Sequence, residues 1–137
     1  MILLVLSSHT RRVDVNGRTV QKIAKDGRNL ILTDEKGNTT RKEYDEWDNL
    51  TKVVYPDGST VSFDYDLRFN KIKQVTDLRG HVATFEYDEQ GNLVRKVEAL
   101  DTESERLTTF TYNGDAQLLT ATIEGDANTA AATTSFT

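Results

Sequence analysis

A short motif returns along the chain at a nearly constant spacing, and it constrains the fold more than any other feature. The dipeptide Tyr-Asp begins at Tyr44, Tyr65 and Tyr87, with steps of 21 and then 22 residues. A fourth copy, Tyr112-Asn113, follows 25 residues further on. Periods of about 20 to 50 residues are typical of proteins in which similar units stack on one another. The chain is therefore predicted to fold as a repeat array.

Other residues keep the same register. A glycine lies seven residues before each of the first three tyrosines, an asparagine lies five residues after each, and a leucine usually follows that asparagine. Lys71 is the exception at the leucine position, and Gln117 replaces the asparagine in the fourth copy. We assign a structural role to the repeat signature, which comprises Gly37, Tyr44, Asp45, Asn49, Leu50, Gly58, Phe63, Tyr65, Asp66, Asn70, Gly80, Phe85, Tyr87, Asp88, Asn92, Leu93, Phe110 and Tyr112.

The register also divides the chain. We expect an apolar strand in residues 1–13, an array of four to five copies in 14–125, and in 126–137 an Ala/Thr-rich loop that leads into a truncated further repeat. The first copy is degenerate, because Ala24-Lys25 replaces Tyr-Asp. The initial apolar run is too short for a membrane span of about 20 residues, and it lacks the basic start of a signal peptide.

Each repeat has the pattern of a β-hairpin. Val61, Phe63 and Tyr65 alternate with polar residues, and strict alternation indicates a strand with one buried face. Short segments rich in Asp, Asn and Gly separate these runs and are typical of tight turns. The predicted fold is all-β, an antiparallel meander of repeated hairpins with roughly eight to ten strands. We further expect the aromatic rings of successive repeats to stack on one face.

Composition argues against catalysis. The absence of cysteine excludes a disulfide scaffold, a zinc ribbon and a thiol nucleophile. The only histidines are His9 and His81, and neither has a telling partner, so both are interpreted as solvated or edge residues. A net charge of -5 argues against a nucleic-acid partner. We therefore expect a protein that is not an enzyme and that uses no cofactor and no metal.

Acidic and aromatic residues in the turns were weighed as sites. Glu43, Asp45, Glu46 and Asp48 could form a hydrolytic carboxylate pair, but polar residues are expected at a strand end, and turn chemistry explains them. The turns Asp34–Gly37 and Asp77–Gly80 carry acids beside glycine, but they follow neither the EF-hand nor the nonapeptide calcium pattern.

Trp47 and Phe69 occupy corresponding turns. Each could contact a sugar or a protein partner, or could pack over a neighbouring strand, and packing is the favoured interpretation.

The segment from Phe85 to Leu93, with the sequence FEYDEQGNL, resembles the YD repeat, also called the Rhs repeat, of large secreted bacterial proteins. The turn Tyr55-Pro56-Asp57-Gly58 resembles the lead into such repeats. The resemblance extends over nearly the whole chain, from Asp14 to Phe136. Ala24-Lys25, Lys71 and Asn113 depart from the family pattern.

This resemblance implies both a fold and a function. In the family, the strands form a hollow β-shell around a C-terminal toxin domain, and related repeats build the extracellular shell of teneurins. We therefore expect a structural segment of a shell that encloses a toxin or other cargo in a larger secreted or cell-surface bacterial protein. Its partners would be further repeats of the parent chain and the enclosed toxin-like domain, with possible self-association through open sheet edges. The alternative is a carbohydrate- or cell-surface-binding β module.

Overall fold

The computed structural model describes residues 2–7, 10–16, 18–125 and 130–136, and for residues 2–7 and 18–20 it describes the backbone alone. Among the residues singled out from the sequence, His9 lies outside the described residues, as do residues 126–129 of the predicted Ala/Thr-rich loop.

The described residues form an antiparallel β-meander. Its strands follow one another in the sheet in chain order, and the all-β prediction is confirmed. The strands are β1 (Ile2–Ser7), β2 (Thr10–Val15), β3 (Arg18–Asp26), β4 (Asn29–Asp34), β5 (Thr39–Tyr44), β6 (Leu50–Val54), β7 (Thr60–Asp66), β8 (Lys71–Thr76), β9 (Val82–Tyr87), β10 (Leu93–Glu98), β11 (Arg106–Tyr112), β12 (Leu118–Ile123) and β13 (Ala132–Ser135).

The described part of the chain thus holds thirteen strands, more than the eight to ten predicted. The additional strands lie mainly at the two ends. There, β1, β2 and β13 continue the hairpin pattern where the Tyr-Asp signature is missing.

The chain divides into two compact units, residues 1–62 and 63–137. Within each unit, the strands contact only the strands that precede and follow them in the sheet. Side chains are therefore covered mainly by side chains of adjacent strands rather than by a second layer.

This arrangement leaves a thin core. Among the residues whose side chains are described, Val53 and Val97 are the buried apolar ones, with 7% and 1% of their surface exposed. Phe63 and Phe85, which the alternation predicted to be buried, are only half-buried. The prediction overestimated how deeply this face of the sheet is buried, because within either unit no second layer of strands packs over it.

The expected stacking of aromatic rings is also wrong. Phe85 and Phe110 make no ring contact in the part of the chain that the structure describes. Strands lie about 4.8 Å apart, so equivalent residues on every second strand are about 10 Å apart, beyond the roughly 4.5–7 Å of a ring pair. Lys96 of β10 lies opposite Phe85 on one side and opposite Thr108 of β11 on the other, so Phe110 is also two residues away along β11.

Candidate functional site

A carboxylate closes the turn after Tyr44. The Oδ1 atom of Asp45 accepts the backbone N–H groups of Trp47 and Asn49, both at 2.9 Å, and its Oδ2 atom accepts the side-chain amide of Asn49 at 3.1 Å. We call this arrangement the Asp clamp. It explains why the repeat signature pairs an aspartate with an asparagine four residues later.

The same clamp recurs in other turns. Asp88 accepts the backbone N–H groups of Gln90 and Asn92 and the side-chain amide of Asn92. Asp34 accepts the equivalent groups of Lys36 and Asn38. The loop has three residues, because a type I turn is followed by a residue with positive φ. This last residue is a glycine in two of these turns, Gly37 at 86° and Gly91 at 83°.

Two turns use variants of the clamp, and a third turn, which begins at Tyr55, is closed by an aspartate within its loop. Asn113 replaces the aspartate and pairs with Gln117. His81 replaces the asparagine in the turn of Asp77, and its Nδ1 atom lies 3.3 Å from Oδ2 of Asp77. Asp57 accepts both the backbone N–H and the hydroxyl of Ser59. His81 is exposed.

The turn of Asp66 departs from this pattern. Asn70, which the register equated with Asn49, itself adopts a φ of 53°. The carboxylate of Asp66 instead holds the backbone N–H of Arg68 at 3.0 Å and its guanidinium at 2.6 Å. Since the loop runs from 67 to 70, it is one residue longer, which explains why Lys71 stands where the other copies have leucine.

Two signature tyrosines tie their turns to the preceding hairpin. The Tyr87 hydroxyl donates to the backbone carbonyl of Ile72 at 2.7 Å, and the Tyr112 hydroxyl donates to that of Leu93 at 2.9 Å. Burial raises the pKa of both phenols. Tyr44 differs, because its hydroxyl has no hydrogen-bond partner among the described residues.

Tyr87→Phe is expected to lower the free energy of unfolding by about 1 kcal/mol, because the hydrogen bond to the Ile72 carbonyl is lost. Tyr44→Phe also removes a hydroxyl oxygen, but one that makes no hydrogen bond to the described residues, so the free energy of unfolding is expected to stay unchanged. Urea unfolding of both variants measures the difference. Equal losses would contradict the assignment of the tie to Tyr87.

The two turn aromatics have different surroundings. The Phe69 ring meets the Tyr87 ring edge-on, with centroids 6.5 Å apart, and the Arg68 guanidinium lies 4.9 Å from its centroid. It also lies against Gly91, so its faces are occupied within the protein. Trp47, by contrast, is 55% exposed.

The clamp carboxylates are already used as acceptors. A side-chain hydrogen bond from Asn38 is the main reason why the pKa of Asp34 is lowered, and Asn92 lowers the pKa of Asp88 in the same way. In the acidic cluster, Asp45 is a clamp residue, and Glu43 forms an ion pair with Arg41 at 3.3 Å. No cluster of three or more potential metal ligands occurs among the described residues.

Acid is expected to destabilise the folded chain through these turns. A carboxyl whose folded-state pKa lies below its unfolded value contributes stability above the unfolded value, and this contribution disappears as pH falls through the folded value. The unfolded value of these aspartates is near 3.8. The loss should therefore begin near that pH and continue below it.

Urea unfolding from neutral pH downward would measure this loss. Asp88→Asn, which resembles the natural clamp of Asn113, should reduce the pH dependence, whereas Glu89→Gln in the same turn should not. A midpoint that is constant down to about pH 3 would contradict a stabilising role for the carboxylates.

Sequence reasoning missed part of this arrangement. It assigned the Asp-Asn pair only to the turns that follow tyrosine, although Asp34 and Asp77 close the turns between repeats in the same way. A sequence pattern could have predicted these turns. In it, an aspartate stands three residues before a glycine and four residues before a residue with a polar side chain, as in Asp34, Gly37 and Asn38.

These features define a class, namely a β-hairpin repeat protein whose turns are closed by aspartate and whose hairpins are tied by tyrosine. Residues 13–60 match the family model described as RHS Repeat. Over that range the family match confirms the resemblance seen in the sequence. No curated protein matches the chain. The described residues contain no helix long and apolar enough to cross a membrane.

Proposed function

We propose that this chain is a structural wall segment of a YD-repeat β-shell that encloses a toxin or other cargo domain in a larger secreted or cell-surface protein. The observation that carries the proposal is the use of the signature residues within the protein itself. Tyr87 and Tyr112 tie hairpins together, and the aspartates close turns. Residues that hold successive hairpins in register suit a wall, and the proposal assigns no catalytic step to them.

The proposal requires a parent polypeptide with an enclosed domain. An antibody against this chain should detect that polypeptide in cells of the source organism. Limited proteolysis should leave a C-terminal domain protected until the repeats are unfolded by urea. A native product no longer than this chain, or a C-terminal domain cleaved as fast as a free one, would refute the proposal.

A second candidate function, binding of carbohydrate or of a cell-surface partner, is favoured by one observation. A cleft of about 250 Å³ opens beside Tyr44, and its lining residues are Lys25, Arg28, Asn29, Leu30, Tyr44 and Asp48. The exposed Trp47 precedes Asp48 in the same turn. Phe69 is not part of this candidate, because its ring is occupied by contacts within the protein.

The two cationic side chains of this cleft suit a negatively charged group on a sugar. Titration with neutral and acidic glycans, followed by Trp47 fluorescence, tests this candidate. A saturable change that is lost in Arg28→Ala and retained in Arg79→Ala, an exposed arginine in another turn, would support it. No response to any glycan would exclude it and would leave the structural proposal unaffected.

A further inference from the structure

The fourth copy of the signature contains a chemically labile dipeptide. Asn113-Gly114 follows Tyr112, where earlier copies have the signature aspartate followed by a larger residue. The Oδ1 atom of Asn113 accepts the backbone N–H groups of Asp115 at 3.0 Å and Gln117 at 2.9 Å. Its Nδ2 atom donates to Oε1 of Gln117 at 2.8 Å. Gly114 is exposed, and a Cβ atom added there would meet nothing within 4 Å.

We propose that Asn113 is a site of spontaneous deamidation, and that its aspartate product completes the fourth Tyr-Asp signature of the array. The reaction goes beyond the structural role proposed above and does not depend on it. It needs only water as a co-reactant.

The reaction has two steps. The backbone nitrogen of Gly114 attacks Cγ of Asn113, so that a new C–N bond forms, the bond from Cγ to Nδ2 breaks, and the displaced nitrogen leaves as ammonia with the proton lost by Gly114. The product is a five-membered succinimide. Water then opens this ring. Cleavage between the Gly114 nitrogen and Cγ yields aspartate, and cleavage at the main-chain carbonyl yields isoaspartate.

Two features of the turn favour the first step. The N–H groups of Asp115 and Gln117 already point at Oδ1, where negative charge develops when Cγ is attacked, as donors do in an oxyanion hole. Gly114 carries no side chain to hinder its own nitrogen, and its backbone is free to adopt conformations closed to other residues. Exposure of Gly114 admits the water that the second step requires.

The turn is also built to accept the aspartate product. In the clamps of Asp34, Asp45 and Asp88, an asparagine amide donates to Oδ2 of the aspartate. With Asn113 the direction is reversed, because Gln117 accepts. Rotation of the Gln117 amide would place its NH₂ group on the new carboxylate and reproduce the clamp. Isoaspartate, in contrast, inserts a methylene into the backbone and disturbs the 3.0 Å bond from the Asn113 N–H to the Gln117 carbonyl.

The test is a time course on the whole folded chain in neutral buffer, followed by digestion and mass spectrometry of the peptide that contains Asn113. We expect this peptide to gain the mass that replaces NH₂ by OH, with both aspartate and isoaspartate present. Gly114→Ala should slow the conversion several-fold, since alanine fits the open space but crowds the attacking nitrogen. Asn113→Asp should fold and should unfold at a urea concentration no lower than that of the parent.

The urea-unfolded chain is the reference, and its Asn16-Gly17 dipeptide provides an internal measure of the reaction. If folded Asn113 keeps its amide over the period in which the unfolded chain loses it, the clamp protects the residue and the proposal fails. Equal rates for the parent and Gly114→Ala would also overturn it, as would an Asn113→Asp variant that is less stable than the parent at neutral pH.

Discussion

Replacement of Gly91 by alanine is expected to lower the free energy of unfolding by about 2–5 kcal/mol. Gly91 has a φ of 83°, and an alanine in the left-handed region costs about 1–2 kcal/mol. A Cβ atom would also lie 3.0 Å from the Phe69 ring. That ring is confined by Arg68 and Tyr87, and overpacking of this kind costs about 1–3 kcal/mol.

Gly80→Ala is the matched control for this prediction. Gly80 lies in the same unit with a φ of 84°, and nothing lies within 4 Å of a Cβ atom there. Gly80→Ala should lower the free energy of unfolding by about 1–2 kcal/mol, which is the cost of placing alanine in the left-handed region alone. A double variant, Gly91→Ala with Phe69→Ala, isolates the steric cost of the contact between the new Cβ atom and the Phe69 ring. Without that ring the contact is absent, so the effects of the two substitutions should be strongly non-additive. Equal losses for both glycine variants would show that Phe69 yields without cost.

Val97→Ala should lower the free energy of unfolding by about 2–3 kcal/mol. Val97 is 1% exposed and lies on β10 opposite Thr84 and Leu107. Loss of its two methyl groups removes about 0.8 kcal/mol for each buried carbon, and the cavity adds to this cost. Half-buried neighbours cannot easily close the gap, because the sheet spacing is held by backbone hydrogen bonds.

Val15→Ala removes the same atoms from a residue that is 38% exposed, and its effect should stay within about 0.5 kcal/mol. Urea denaturation of both variants, followed by circular dichroism, measures the contrast. Similar small losses would show that the thin core contributes little and that turns and ties hold the sheet.

The relative importance of core and turns bears on the proposed role. A wall in which few side chains are buried must resist distortion through its backbone ladder, its clamps and its ties. Asp88 closes one turn, Tyr87 joins that turn to the hairpin before it, and the Lys71 ammonium donates to the Gly91 carbonyl at 2.6 Å. These bonds connect successive repeats along one edge of the second unit.

The sequence by itself determined the hairpins and their turns. A clamp such as Asp88 to Asn92 involves residues only four positions apart, so the pattern of Asp, Gly and Asn is readable without tertiary contacts. The alternation of polar and apolar residues likewise predicted the strands. Even Lys71, which broke the register, marked a loop one residue longer than its counterparts.

Only the tertiary structure decided which side chains are buried and which tyrosines form ties. Those contacts join residues about 15 to 20 positions apart in the chain, and whether such residues meet depends on the spacing and register of the strands. The Tyr87 hydroxyl reaches Ile72, whereas the equivalent hydroxyl of Tyr44 lies beside a cleft and has no hydrogen-bond partner among the described residues. Strand spacing also separated the phenylalanine rings that the sequence led us to stack. The ring that meets Tyr87 is instead Phe69, which lies in a turn.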